Sequence, residues 1–239
     1  MRRRRKKRKS PVLPELFDPD SPGVIEVHRL LATIRGKGGN SLKSLLVTSP
    51  MPREGKSILT AYLAMTSAHL GRRTIIIDLD MRRSIQHRLF GVNRSPGMGE
   101  YLTADPPYKD IGGLIHATSM KNLFLLPSGK RLSSPGGVLR VNVNRVNELI
   151  RQLSAAFDML LIDTPPIVPV NDAELIGPLV DGVILVVMGG KTFREIVQRA
   201  VELVRKSNSN LLGMVLNNIT KAMPYYYEYK YYRYKHESK

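Results

Sequence analysis

At 239 residues without a single cysteine, the chain is long enough for one full domain with a sizeable core and short for two, and it excludes a disulfide framework, a thiol nucleophile and a Cys-based metal site. The net charge of +17 is concentrated at the ends: residues 2–9 and 225–239 together hold +10 of it. That basicity predicts attraction to a polyanion, either lipid headgroups or nucleic acid.

In chain order, Met1–Ser10 is a charge run without apolar periodicity and is expected to be disordered, docking to an anionic inner leaflet or simply solvated. No apolar h-region follows it, so no signal peptide is expected, and no apolar run approaches the ~20 residues of a membrane helix. Pro11–Pro22 reads as a linker. Val24–Arg35 has helical spacing, with Ile25, Leu30, Leu31 and Ile34 for burial, and Gly36–Asn40 ends it. Leu45–Val47 predicts a buried strand. Ile58, Ala61, Met65 and Ala68 predict a helix that stops at Gly71. Thr74–Ile77 is a β-branched strand ending in Asp78-Leu79-Asp80-Met81-Arg82. A short helix is expected within Arg82–Phe90, a loop-rich stretch over Gly91–Tyr108, a strand at Leu123–Leu126 and helical chain over Val138–Ser154. Phe157–Ile162 is a strand ending in Asp163; Asp172–Leu179 is a short helix, Gly182–Val187 a strand, Thr192–Lys206 a helix and Leu211–Asn217 a strand. Strands apolar throughout, alternating with helices, define the expected fold: α/β, doubly wound, a mostly parallel sheet with helices on both faces, of the P-loop NTPase type. The division predicted is 1–22 basic tail and linker, 23–220 P-loop domain, 221–239 tyrosine-rich flexible tail.

The chemistry converges where strands end. Strand, loop, Gly55-Lys56-Ser57, helix is the P-loop layout. Backbone N–H groups of the loop and first helical turn attract phosphate, Lys56 adds a point charge for the β/γ-phosphates, and Ser57 offers a hydroxyl to Mg²⁺. Pro50 occupies the place of the general pattern's first Gly. In a doubly wound sheet the ligand lies outside the carboxyl ends of the strands, so Asp78, Asp80 and Asp163 are expected at the same edge. There they would support the metal and supply a base for an acceptor hydroxyl. Taken singly, an Asp after a strand is as readily a turn residue or cap. The five His residues show no ligand spacing.

From Ile25 onward the chain resembles the bacterial tyrosine autokinases of capsule and exopolysaccharide synthesis, the BY-kinases. Ser49–Ser57 (S-P-M-P-R-E-G-K-S) is similar to the family's Walker A, Ile75–Arg82 (I-I-I-D-L-D-M-R) to its Walker A′, and Leu160–Pro165 (L-L-I-D-T-P) to its Walker B. Tyr225, Tyr226, Tyr227, Tyr229, Tyr231, Tyr232 and Tyr234 resemble the terminal cluster that the family phosphorylates in trans. The resemblance implies ATP and Mg²⁺ as cofactors. It implies Lys56, Asp78, Asp80 and Asp163 as catalytic residues, with Asp78 favoured as base, and Ser57, Asp78, Asp80 and Asp163 as metal ligands. Nucleotide contacts are expected from Pro52, Arg53, Glu54, Gly55, Lys56, Ser57 and Ile58, with Arg82 on phosphate or fixing its loop and Asn217 near the adenine. It further implies ring-like self-assembly, a transmembrane chain-length-regulator partner as activator, and a cytoplasmic place at the inner face of the membrane, with nucleic acid the disfavoured polyanion.

The sequence also departs from that pattern. Arg53 replaces a Gly of the loop and fits there if φ is negative, with its side chain turned to solvent or to a phosphate. The assembly motif E-x-x-R-x-x-R keeps Glu26 and Arg29, while Ala32 takes the third place and Arg35, one turn on, is the substitute. Two alternatives remain open at this point. One is a ParA/MinD-like ATPase switch binding membrane or DNA through basic tails, although the signature Lys of that group is missing between Thr48 and Gly55. The other is a non-catalytic regulatory subunit.

Overall fold

The computed structural model describes residues 12–38, 42–108 and 110–218. The basic residues 2–9, the end of the Gly36–Asn40 segment and the seven tail tyrosines lie outside the described residues.

Seven strands form one sheet: β1 (Ser44–Thr48), β2 (Thr74–Asp78), β3 (His116–Ala117), β4 (Leu123–Leu126), β5 (Met159–Asp163), β6 (Gly182–Met188) and β7 (Leu211–Asn217), in the order β3-β4-β2-β5-β1-β6-β7. Every pairing is parallel except β3 with β4. The helices are α1 (Pro22–Gly38), α2 (Lys56–His69), α3 (Gln86–Leu89), α4 (Met98–Thr103), α5 (Pro135–Val141), α6 (Val143–Ala156), α7 (Asp172–Ile176) and α8 (Arg194–Lys206). This is the doubly wound architecture that alternation of buried strands and helices predicts.

Strand periodicity divides the interior in two. Leu45, Val47, Ile76, Leu161, Ile184 and Val186 face one cluster with Leu31, Ile34, Ala61, Met65 and Phe90. Their neighbours Leu46, Ile75, Ile77, Leu160, Ile162 and Leu185 face the other, with Met98, Leu139, Leu149, Ile176 and Val204. Burial on both faces is why β1, β2 and β5 read as continuous apolar runs.

Several details differ from the sequence reading. Residues expected as linker include a 3-10 helix at Leu13–Leu16, and Leu13 and Phe17 pack on the α1/α2 cluster, Phe17 also meeting the His69 ring. Val138–Ser154, expected as helical, spans two helices broken at Asn142, whose Nδ2 donates to Val138 O at 2.9 Å and competes with the helical ladder. The stretch expected as loop-rich contains α4, where Glu100 accepts from the Gly97 N–H at 2.9 Å. β3 escapes a pattern search because two residues carry no periodicity. β7 lies where a strand is expected, but it is an edge strand with no wholly buried residue, outside the double covering that the apolar strands predict for the sheet.

Candidate functional site

Strand register creates the site. Val47 and Asp78 both pair with Asp163, so the carboxyl ends of β1, β2 and β5 stand level. The Leu79 N–H donates to Asp163 O at 2.9 Å and extends the pairing one residue. The loop leaving β1 therefore meets both strand-end carboxylates at one edge.

The P-loop turns through two left-handed residues, Arg53 (φ 68°) and Gly55 (φ 96°). A negative φ at Arg53 is thus not what the chain adopts; the exposed side chain sits on backbone that ordinarily favours glycine. Glu54 is buried between these turns. It accepts from the Met51 N–H at 2.9 Å and from the Thr192 hydroxyl, while Asn217 Nδ2 donates to the Glu54 carbonyl at 2.9 Å. Pro52 is half-buried and Ile58 is 41% exposed.

Lys56, the first residue of α2, turns back into the cluster. Its Nζ lies 2.7 Å from Asp80 Oδ2, 3.0 Å from Ser57 Oγ and 3.5 Å from Asp163 Oδ1. Burial opposes its charge, but Asp163 and Asp80 outweigh that and raise its proton affinity. Asp78 lies wholly buried. Desolvation first, then the charge of Asp163, push its carboxyl well above the usual range, against a hydrogen bond from Ser84 Oγ at 2.7 Å. Burial likewise raises Asp163, against the opposing pull of Lys56 and Gln86.

Five of the residues singled out in the sequence therefore stand together: Lys56, Ser57, Asp78, Asp80 and Asp163. Asn217 reaches the P-loop backbone. Arg82 points elsewhere, its guanidinium 3.7 Å from Asp172 Oδ1 at the start of α7. There it borders an open groove of ≈ 420 Å³ that includes Val168, Asn171, Glu174 and Arg199 but none of the clustered carboxylates. Glu26 and Arg29 pair at 2.6 Å on the exposed side of α1, with Arg35 further along the helix.

Sequence reading missed Gln86, Ser84 and Thr192. Gln86 is wholly buried and donates to both Ser57 O (2.9 Å) and Asp163 Oδ2 (2.8 Å). The helix expected over Arg82–Phe90 shrinks to α3 because the residues before it fold around carboxylates: the Arg83 N–H donates to Asp80 Oδ1 at 3.0 Å and Ser84 to Asp78. No local signal marked Gln86, since most of Arg82–Phe90 is polar or charged.

No group of three or more His, Cys, Asp or Glu among the described residues could hold a metal by itself. The site still suits Mg²⁺. Asp78 Oδ1 and Asp163 Oδ1 are buried oxygens without a hydrogen-bond partner, and Mg²⁺ uses one or two carboxylates together with phosphate oxygens and water.

A cationic P-loop facing strand-end carboxylates on a doubly wound sheet defines a nucleotide-binding protein of the P-loop class. A family model described as ParA, NUBPL iron-transfer P-loop NTPase, matches residues 41–236. Among curated proteins, tyrosine-protein kinase YwqD of Bacillus subtilis (strain 168) is 34% identical over 191 residues, 80% of this chain and 78% of its own. Tyrosine-protein kinase CpsD of Streptococcus agalactiae is 34% identical over 195 residues, 81% of this chain and 83% of its own. Among solved structures, the chimerical protein CapA2B2 superposes with a TM-score of 0.77 at 28% identity, covering 85% of this chain and 88% of that one. The chain belongs to the bacterial tyrosine-protein kinases, on a ParA-type P-loop fold. It is a protein-tyrosine kinase that binds ATP.

Proposed function

We propose that this kinase uses MgATP to phosphorylate the C-terminal tyrosines of a neighbouring copy, at Tyr225, Tyr226, Tyr227, Tyr229, Tyr231, Tyr232 and Tyr234. The observation that supports it best is one ammonium, Lys56, held within 3.5 Å of both Asp80 and Asp163 at the mouth of the P-loop. Lys56 would transfer from these carboxylates to the β/γ-phosphates and neutralise them. Ser57, Asp78, Asp80 and Asp163 are the residues that would hold Mg²⁺. The ion would supply charge neutralisation at the phosphate oxygens. Asp78, whose raised proton affinity suits a general base, takes the proton of the tyrosine hydroxyl. The phenolate oxygen then bonds to the γ-phosphorus as the bond to the β,γ-bridging oxygen breaks, and ADP departs with the electron pair.

Around this site we place the other expectations. Residues 23–220 form the kinase domain. Glu26, Arg29 and Arg35 mediate a ring-like homo-oligomer, and the exposure of Glu26 and Arg29 on α1 is compatible with that. Asn217, beside the P-loop, borders the adenine. A membrane-spanning chain-length regulator would serve as activator. The basic residues 2–9 would hold the kinase to the inner face of the membrane, at about 1 kcal/mol per basic residue near an anionic surface. Names such as CpsD among the relatives support a role in capsular or exopolysaccharide synthesis. Each phosphotyrosine adds about −1.5 to −2 charges, so full modification would cancel most of the +17 and weaken contacts to acidic surfaces.

The test is incubation of purified protein with MgATP, with and without an activator, followed by phosphosite mapping. Phosphotyrosine at 225–234 that Lys56→Met abolishes, and that reappears when that variant is mixed with active wild type, is the expected result. Free phosphate without phosphotyrosine would instead indicate an ATPase switch of the ParA type.

A further inference from the structure

Between β2 and α3 the chain folds back over the strand ends it has just left. Gln86 and Ser84 lie in this return, and each takes one oxygen of a different carboxylate. Gln86 Nε2 donates to Asp163 Oδ2 at 2.8 Å, and Ser84 Oγ donates to Asp78 Oδ2 at 2.7 Å. The second oxygens, Asp163 Oδ1 and Asp78 Oδ1, are left without hydrogen bonds, and Asp163 Oδ1 faces Lys56 Nζ at 3.5 Å.

Gln86 does more than Ser84. Its single amide nitrogen spends both protons on separate motifs, Asp163 at the end of β5 and the Ser57 carbonyl in the first turn of α2. Both partners are acceptors, so the orientation of the amide is dictated by chemistry: only the nitrogen can face them. The cost is visible on the other side, where Gln86 Oε1 is buried without a partner. A buried acceptor left unmet is a local conflict of the kind proteins keep at functional positions.

We infer that Gln86 is a positioning residue for phosphoryl transfer: it turns the Asp163 carboxylate so that Oδ1 faces the P-loop cation, and it ties that carboxylate to Ser57. A neutral amide is suited to this task. A Lys would neutralise the carboxylate, a Glu would repel it, and an apolar residue would leave Oδ2 without its amide donor and the carboxylate held from the Lys56 side. The inference rests on the reading of Asp163 and Ser57 as the groups that meet MgATP. Their outer hydrogen-bond partners, when removed, typically cost 10–100-fold in metal affinity or activity.

The experiment compares full-length wild type with Gln86→Met, which keeps length and loses both donors. ADP binding is measured by calorimetry in EDTA and across a Mg²⁺ titration, alongside kcat and KM for a tyrosine peptide. The expected result is wild-type ADP affinity in EDTA, a Mg²⁺ half-saturation raised about tenfold or more, a lower kcat and an unchanged peptide KM. An unchanged Mg²⁺ response overturns the inference, as does a loss that is equal with and without Mg²⁺ and tracks the folded fraction. Failure of Gln86→Met to fold shifts the decision to wild type. There the Gln86 side-chain amide protons should exchange slowly with water and move on adding Mg²⁺ to the ADP complex; rapid exchange or no movement overturns the inference. Wild type that makes no phosphotyrosine would defeat the kinase reading instead, and the Mg²⁺ titration would still report on Gln86.

Discussion

Lys56 donates to Asp80 at 2.7 Å in a nearly buried ion pair, so the P-loop cation and a carboxylate of the A′-like segment answer each other across the carboxyl edge of the sheet. Phosphate competes with Asp80 for the same ammonium. Lys56→Met leaves Asp78, Asp80 and Asp163 together without their cation. Phosphotyrosine formation is expected to fall below detection, and unfolding in urea at pH 8 to show a loss of about 3–5 kcal/mol, the range for one orphaned side of a buried pair. The loss should shrink as pH is lowered, where Asp78 and Asp163, whose proton affinities burial raises, take up protons.

Asp78 gives the clearest pH dependence. Burial and the charge of Asp163 raise its folded pKa well above its ordinary 3.8. Between those two values the native state holds a proton that the unfolded state has released. Stability therefore falls as pH rises from about 3.8 through the folded pKa, and the full cost applies above it. Asp78→Asn removes that cost. Scanning calorimetry from pH 4 to pH 8 should show the variant melting above wild type at the alkaline end, by about 2–4 °C for each kcal/mol relieved, with the gap closing toward pH 4. The same change should lower phosphoryl transfer about 10²–10⁴-fold, the usual worth of a general base.

Arg53 holds a left-handed backbone (φ 68°) in an exposed position. Glycine meets that conformation without a Cβ clash, so Arg53→Gly is expected to stabilise the fold by about 1 kcal/mol and raise the melting temperature by about 2–4 °C. ATP affinity measured by calorimetry should hold or rise. A fall would mean that the guanidinium itself contacts the nucleotide.

Asn217 closes the P-loop from β7 through its bond to the Glu54 carbonyl at 2.9 Å. Asn217→Ala removes that bond, at a cost of about 1 kcal/mol. The carboxyl end of β7 lies far from the Asp78–Asp163 pair in strand order, so KM for ATP is expected to rise about fivefold while kcat changes less than twofold. Steady-state kinetics at fixed tyrosine peptide checks the split.

Much of this molecule was legible in the residues. β1, β2 and β5 announced themselves as apolar runs because both faces of the sheet are covered, and Lys56, Ser57, Asp78, Asp80 and Asp163 stood where such strands end. Weaker features followed physical causes that no local pattern carries. β7 read as a strand, but its place at the edge was not legible, since composition does not reveal which strand has a single neighbour. Arg82 was expected on phosphate or fixing its loop; in the fold Asp172, ninety positions on, holds its guanidinium. The helix expected within Arg82–Phe90 shortens to α3 because the hydrogen-bonding demands of Asp78 and Asp80 outweigh helical propensity in the residues before it.

Sequence by itself determined the class of chemistry: a phosphate-binding turn, a cation, a hydroxyl and three acids, each at a strand end or helix start, because apolar periodicity and motif spacing are local properties. Tertiary structure decided how those groups are held. The parallel register sets Asp78 level with Asp163, Lys56 is bound by Asp80, and Gln86, separated from Asp163 by 77 residues, orients its carboxylate. Such pairings depend on which buried donors lack water and must find an acceptor elsewhere in the chain, and only the folded arrangement of the strands settles that.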